Sequence, residues 1–82
     1  MAKVSVRFFA RYAELAGCDS SAVTVSTPAT VSDVIARIRE VFPATAAMPT
    51  RPLAALNRRQ VNLDTPVSEG DEVALLPPLS GG

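Results

Sequence analysis

Only one stretch of this chain carries the apolar period of a long helix. Val31, Val34, Ile35, Ile38, Val41 and Phe42 recur every three or four residues until Pro43 stops them, because proline lacks an N–H and clashes with the preceding turn. Thr30 places a side-chain oxygen at the start, and Asp33 follows three residues on in a capping-box relation. Arg37, Arg39 and Glu40 lie off the apolar stripe and are expected on its solvated side. A lone amphipathic helix must cover its stripe with something other than a second helix, and a sheet is what the remaining sequence offers.

The flanking segments read as strands and turns. Val4, Val6 and Phe8 alternate with Lys3, Ser5 and Arg7, a strand with one buried face, and Phe9 falls on the polar side. Ala10 to Ala16 is rich in helix formers and is closed by Gly17, suited to a left-handed cap. A second strand is expected over 22–26 with Val23 and Val25 inward. Beyond the Pro-containing stretch, 53–56 and 60–63 read as short strands joined by a turn at Asn57, Arg58 and Arg59. The turn signal of Ser68 to Asp71 introduces a last strand at 72–76, with Val73 and Leu75 on one face and Glu72, Ala74 and Leu76 on the other. The order is strand, short helix, strand, long helix and three short strands. It predicts an α+β fold of the β-grasp kind, a mixed sheet covered by one main helix over residues 1–76, followed by a flexible extended tail at 77–82.

Composition narrows the chemistry. A chain of 82 residues forms one domain and buries roughly 60 % of its unfolded surface, too little for a deep self-contained active site. The formal net charge is zero, so no single-signed field draws nucleic acid or an anionic membrane. No apolar run is long enough to span a bilayer and no signal-type segment opens the chain, which predicts a cytoplasmic protein. With no histidine and one cysteine, Cys18, the sequence lacks a His-assisted nucleophile, an internal disulfide and a ready metal site. Glu69, Asp71 and Glu72 cluster, but around a turn rather than a cleft. Lys3, the sole lysine, falls on a polar strand face.

The remaining reactive group is the end of the chain, PPLSGG. Pro77 and Pro78 cannot extend a sheet ladder, and six residues beyond the last strand reach about 20 Å, enough to enter another protein's active site. An α-carboxylate with a pKa near about 3.5 is ionised at neutral pH and a poor electrophile, so it needs activation, for example as an acyl-adenylate. Gly81 and Gly82, lacking a Cβ, suit a narrow channel, with Leu79 and Ser80 lining the path.

VRFFARYAELAG near the start, the central LAALN and the closing EGDEVALLPPLSGG together resemble the small subunit of molybdopterin synthase, the MoaD family of ubiquitin-like sulfur carriers. The thiamine-pathway carrier ThiS is similar in fold and in its Gly-Gly end but lacks the Phe-Phe-Ala opening. The resemblance implies that Gly82 is adenylated by an E1-like enzyme using ATP and magnesium, converted to a thiocarboxylate by a sulfur donor, and inserted into the large synthase subunit. There its sulfur passes to cyclic pyranopterin monophosphate. It further implies a heterotetramer of two small and two large subunits, no permanently bound cofactor, and catalytic side chains supplied by the partners. Arg58-Arg59 departs from the family, where uncharged polar residues are common at that turn.

Parity adds an expectation of its own. Phe9 and Leu76 share the helix-remote face, and the first and last strands of a β-grasp sheet are neighbours, so the two form an apolar partner-binding patch beside the tail. Two further readings stay open, a ubiquitin-like protein modifier or carrier for another sulfur pathway, and a non-covalent β-grasp interaction module.

Overall fold

The computed structural model describes residues 1–77. Its elements in chain order are β1 (Ala2–Phe8), α1 (Arg11–Ala16), β2 (Ser20–Val25), β3 (Ala29–Thr30), α2 (Val31–Val41), a 3₁₀ turn (Pro43–Ala47), β4 (Leu53–Leu56), β5 (Arg59–Val61), β6 (Pro66–Val67) and β7 (Glu72–Leu76). Five strands form one mixed sheet in the order β2-β1-β7-β4-β5, and β3 pairs with β6 in a separate two-stranded ladder. β1 and β7 run parallel at the centre; the other pairings are antiparallel. This is the expected β-grasp sheet under one main helix.

The helix begins as its sequence dictates. The Thr30 backbone N–H donates to Asp33 Oδ2 at 2.8 Å, and the Asp33 N–H donates back to Thr30 Oγ1 at 3.4 Å, closing the capping box. Val31, Val34, Ile35 and Ile38 are buried against Val4, Val6, Phe8, Val23, Val25, Val73 and Leu75 from the inner face of the sheet. Val41 departs from the expected stripe and is 44 % exposed. At about 100° per residue it lies about 80° from Val31, at the margin of the apolar face. Phe42 falls nearer the centre, leaves helical geometry, and sets its ring edge-on to Phe8 with centroids 5.5 Å apart.

Other boundaries shift for local reasons. Gly17 takes the left-handed conformation at φ 80°, and its N–H caps α1 by donating to the Ala13 carbonyl. The second strand begins at Ser20 rather than at 22, since its register with β1 runs from Val25 opposite Ala2 to Ser20 opposite Arg7. Arg39 is not merely solvated. Its guanidinium donates to the Pro49 carbonyl at 2.7 Å and more weakly to those of Thr45 and Met48, fastening the 3₁₀ turn to α2.

The β4–β5 hairpin has Leu56 opposite Arg59, leaving Asn57 and Arg58 as a two-residue loop, with φ values of 51° and 72°. Two positive values in succession mark the mirror-image turn that matches strand twist, so Arg58 stands where glycine is favoured. The hairpin strand ends at Val61, and Leu63 is buried in the core.

Candidate functional site

The strand that leads to the C-terminal segment is the central one. β7 is held on one side by β1, with Phe8 opposite Leu75, and on the other by β4, with Ala54 opposite Leu75 and Leu53 opposite Leu76. Pro77 follows at once, half-buried and unable to donate to either neighbour. The chain therefore leaves the sheet from a strand anchored on both edges, which fixes the point and direction of departure. Pro78, Leu79, Ser80, Gly81 and Gly82, which the sequence singled out, lie outside the described residues.

Around that exit the helix-remote face is graded in polarity. Continuing the β1–β7 register by one residue sets Phe9 beside Leu76, and Leu76 is opposite Leu53, so the row nearest the exit is Phe9, Leu76 and Leu53 across three strands. The next row is Arg7, Ala74, Ala55 and Gln60, and beyond it stand Ser5 and Glu72. Phe9 does not turn into the core. Its ring lies under the Arg7 guanidinium, 5.1 Å from centroid to Cζ, and 36 % of the residue stays exposed. Ala55 and Ala74 are buried on this outer face although neither belongs to the core on the helix side. The result is an apolar shelf beside the exit, with a cation at its margin. Sequence parity found Phe9, Ala74 and Leu76 but not Leu53 and Ala55. The signal for those two was the alternation within LAAL, which acquires a face only once β4 is known to pair with β7.

The other candidate groups are structural. Asp71 accepts from the Ser68 N–H at 2.7 Å and from Asn57 Nδ2 at 3.1 Å, while Asn57 Oδ1 accepts from the Glu72 N–H at 3.0 Å. Glu69 Oε1 accepts from the Lys3 backbone N–H at 2.9 Å. Asp71 and Glu69 thus tie turns and strand ends together at the far end of β7 from the exit and do not converge on a cleft. Cys18 packs, half-buried, against the core after α1. Among the described residues no three His, Cys, Asp or Glu side chains come together as a metal site, and no helix is long and apolar enough to cross a membrane.

Residues 6–82 match the ThiS family. The chain belongs to the ThiS family. Among curated relatives of this ThiS-family chain, the molybdopterin synthase sulfur carrier subunit of Escherichia coli (strain K12) is 34 % identical over 85 residues, covering 96 % of this chain and 99 % of the relative. Among solved structures, SAMP1 from Haloferax volcanii superposes with a TM-score of 0.88 at 29 % identity, covering 99 % of this chain and all of that one. A chain from the complex of subunits 1 and 2 of the molybdopterin-converting factor of Helicobacter pylori 26695 gives a TM-score of 0.68 at 27 % identity, covering 98 % and 99 %. The family match extends through the Gly-Gly end.

Proposed function

We propose that this ThiS-family chain is the sulfur-carrier subunit of a molybdopterin synthase. The observation that carries the reading is the end-to-end similarity to molybdopterin synthase sulfur carrier subunits, joined to a sheet whose central strand delivers the C-terminal segment from an apolar shelf. The carboxylate of Gly82 attacks the α-phosphate of ATP in an E1-like partner that supplies magnesium, releasing pyrophosphate and forming an acyl-adenylate. A persulfide on a donor protein displaces AMP to give an acyl disulfide, and a second thiol of the donor cleaves it, leaving the thiocarboxylate on Gly82 and a disulfide on the donor. The tail, Pro77 to Gly82, then enters the large synthase subunit, where the sulfur passes to cyclic pyranopterin monophosphate. The chain supplies the acyl terminus and the docking shelf, while the partners supply catalysis. A glycine terminus fits this division because its carbonyl is unobstructed in a narrow channel.

Phe9 and Leu76, with Leu53, are the residues we assign to large-subunit contact, in an assembly of two small and two large subunits. A soluble cytoplasmic setting is part of the proposal.

A second reading, a protein modifier whose terminal glycine ends on a lysine, draws support from the likeness to small archaeal modifier protein 1 of Haloferax volcanii. One experiment separates the two. The protein is incubated with ATP, magnesium, an E1-like enzyme and a sulfur donor, and the intact product is weighed. Exchange of one terminal oxygen for sulfur supports the carrier, adducts of higher mass support the modifier, and an unaltered mass beside an active partner refutes both. Deletion of Gly82 abolishes either product.

A further inference from the structure

The two edges of the main sheet are built differently. β5 is three residues long and is guarded by Arg58 and Arg59, the kind of short, charged edge that resists further pairing. β2 is six residues long and reads SSAVTV, with no charge and no proline. The Phe8 N–H donates to the Asp19 carbonyl at 3.0 Å, on the same register that pairs Arg7 with Ser20. In an antiparallel ladder the hydrogen-bonded pairs alternate, so Asp19, Ser21, Val23 and Val25 turn their backbone groups toward β1. Ser20, Ala22 and Thr24 turn theirs outward. Among the described residues no inter-element hydrogen bond takes up those groups.

The outward set is self-complementary. A second copy related by a two-fold axis through Ala22 brings Ser20 opposite Thr24, Ala22 opposite Ala22, and Thr24 opposite Ser20, all three being hydrogen-bonded positions. The smallest side chain of the strand lies on the axis, and hydroxyl-bearing side chains meet beside it. Val23 meets Ser21 on the helix side. An open groove of about 540 Å³ runs between this edge and α2, lined in part by Thr24, Ala36, Arg37 and Glu40. Asp33 lines the groove as well, Arg37 donates to Glu40 at 3.3 Å, and a two-fold image can set Arg37 of one copy against a carboxylate of the other. Zero net charge adds no repulsion between copies.

We infer that β2 is a self-association edge, through which two copies of this chain join their sheets into one continuous antiparallel sheet. β7 is separated from this edge by β1, so the apolar shelf and the chain exit remain open in the pair. The two exits lie at opposite ends of the joined sheet. The association therefore adds to the proposed carrier role without occupying its surface.

Sedimentation of the full chain from micromolar to millimolar concentration tests the inference. The weight-average mass is expected to rise from one chain toward two. Ala22→Lys, which sets two ammonium groups on the axis, is expected to raise the dimer dissociation constant about tenfold or more, while Gln60→Lys on the opposite edge leaves it unchanged. A second measurement does not rely on the weak equilibrium. Ala22→Cys in a Cys18→Ser background is expected to oxidise to a covalent dimer far faster than Gln60→Cys, since a hydrogen-bonded antiparallel pair holds its Cα atoms about 5.5 Å apart, within disulfide reach. A wild-type chain that stays monomeric throughout overturns the inference. So does a dimer indifferent to Ala22→Lys, or equal cross-linking at both edges.

Discussion

Phe9 offers a quantitative test of the shelf. A phenylalanine presents roughly 200 Å² in an open chain, so an exposure of 36 % leaves about 70 Å² still to be covered by a partner. At about 25 cal/mol per Å² that area is worth about 1.8 kcal/mol, or roughly a 20-fold change in dissociation constant. Phe9→Ala is therefore expected to weaken binding to the large synthase subunit by roughly 20-fold, measured by titration calorimetry with both proteins purified. Val41→Ala is the matched control. Val41 is exposed to a similar degree, 44 %, but stands at the end of α2 on the opposite side of the sheet, and its truncation is expected to leave affinity within about twofold. Because the covered part of the Phe9 ring also supports the fold, a urea titration must show each variant folded at the assay temperature. Unchanged affinity on Phe9→Ala, or an equal loss on Val41→Ala, refutes the assignment of the shelf as the docking surface. Leu76→Glu places a charge in the same row and is expected to weaken binding further, because a partner that covers it must desolvate the carboxylate.

Three stability predictions follow from the framework. Arg58→Gly relieves a left-handed residue in the β4–β5 turn and is expected to raise stability by about 0.5–1 kcal/mol by urea titration, the backbone gain exceeding the entropy glycine adds to the unfolded chain. Tyr12 is buried with its hydroxyl unpartnered among the described residues, so Tyr12→Phe is expected to stabilise by about 1 kcal/mol; a loss instead would mean the hydroxyl has a partner in solution. Arg39→Ala removes the donor that fastens Pro49 and the 3₁₀ turn to α2 and is expected to cost about 1–2 kcal/mol locally. Amide exchange across residues 43–49 is expected to quicken by about 5- to 30-fold while that of β1 stays unchanged.

The sheet-and-helix plan was legible because it rests on periodicity, which belongs to single segments. Val4, Val6 and Phe8 alternate, Val31 to Ile38 repeat at helical spacing, and each set is buried as its period requires. Features that depend on a partner segment were not legible. β3 and β6 are two residues each and exist only because Ala29 meets Val67, a pairing no local pattern announces. Arg39 looked like an ordinary solvated residue from its position on the helix wheel, but the chain beyond Pro43 folds back and brings three carbonyls within its reach. The left-handed Arg58 was hidden too, since its neighbour Asn57 is favoured in such a turn and arginine is not.

The candidate site divides along the same line. The end of the chain was singled out from composition, because a chain without histidine and with one cysteine leaves few groups able to take part in covalent chemistry. Its platform was readable only in part. Leu76 and Phe9 could be assigned to one face by parity, yet the apolar row needs Leu53, and Leu53 joins it only because β7 runs between β1 and β4 rather than along an edge. That central position also accounts for the stiffness the carrier role requires. An edge strand frays from its unpaired side, whereas β7 is hydrogen-bonded along both, so the chain leaves the sheet from a fixed point beside a fixed apolar surface. A substitution that loosens β7, such as Leu75→Ala in the core, is therefore expected to impair partner binding even though Leu75 faces away from the shelf.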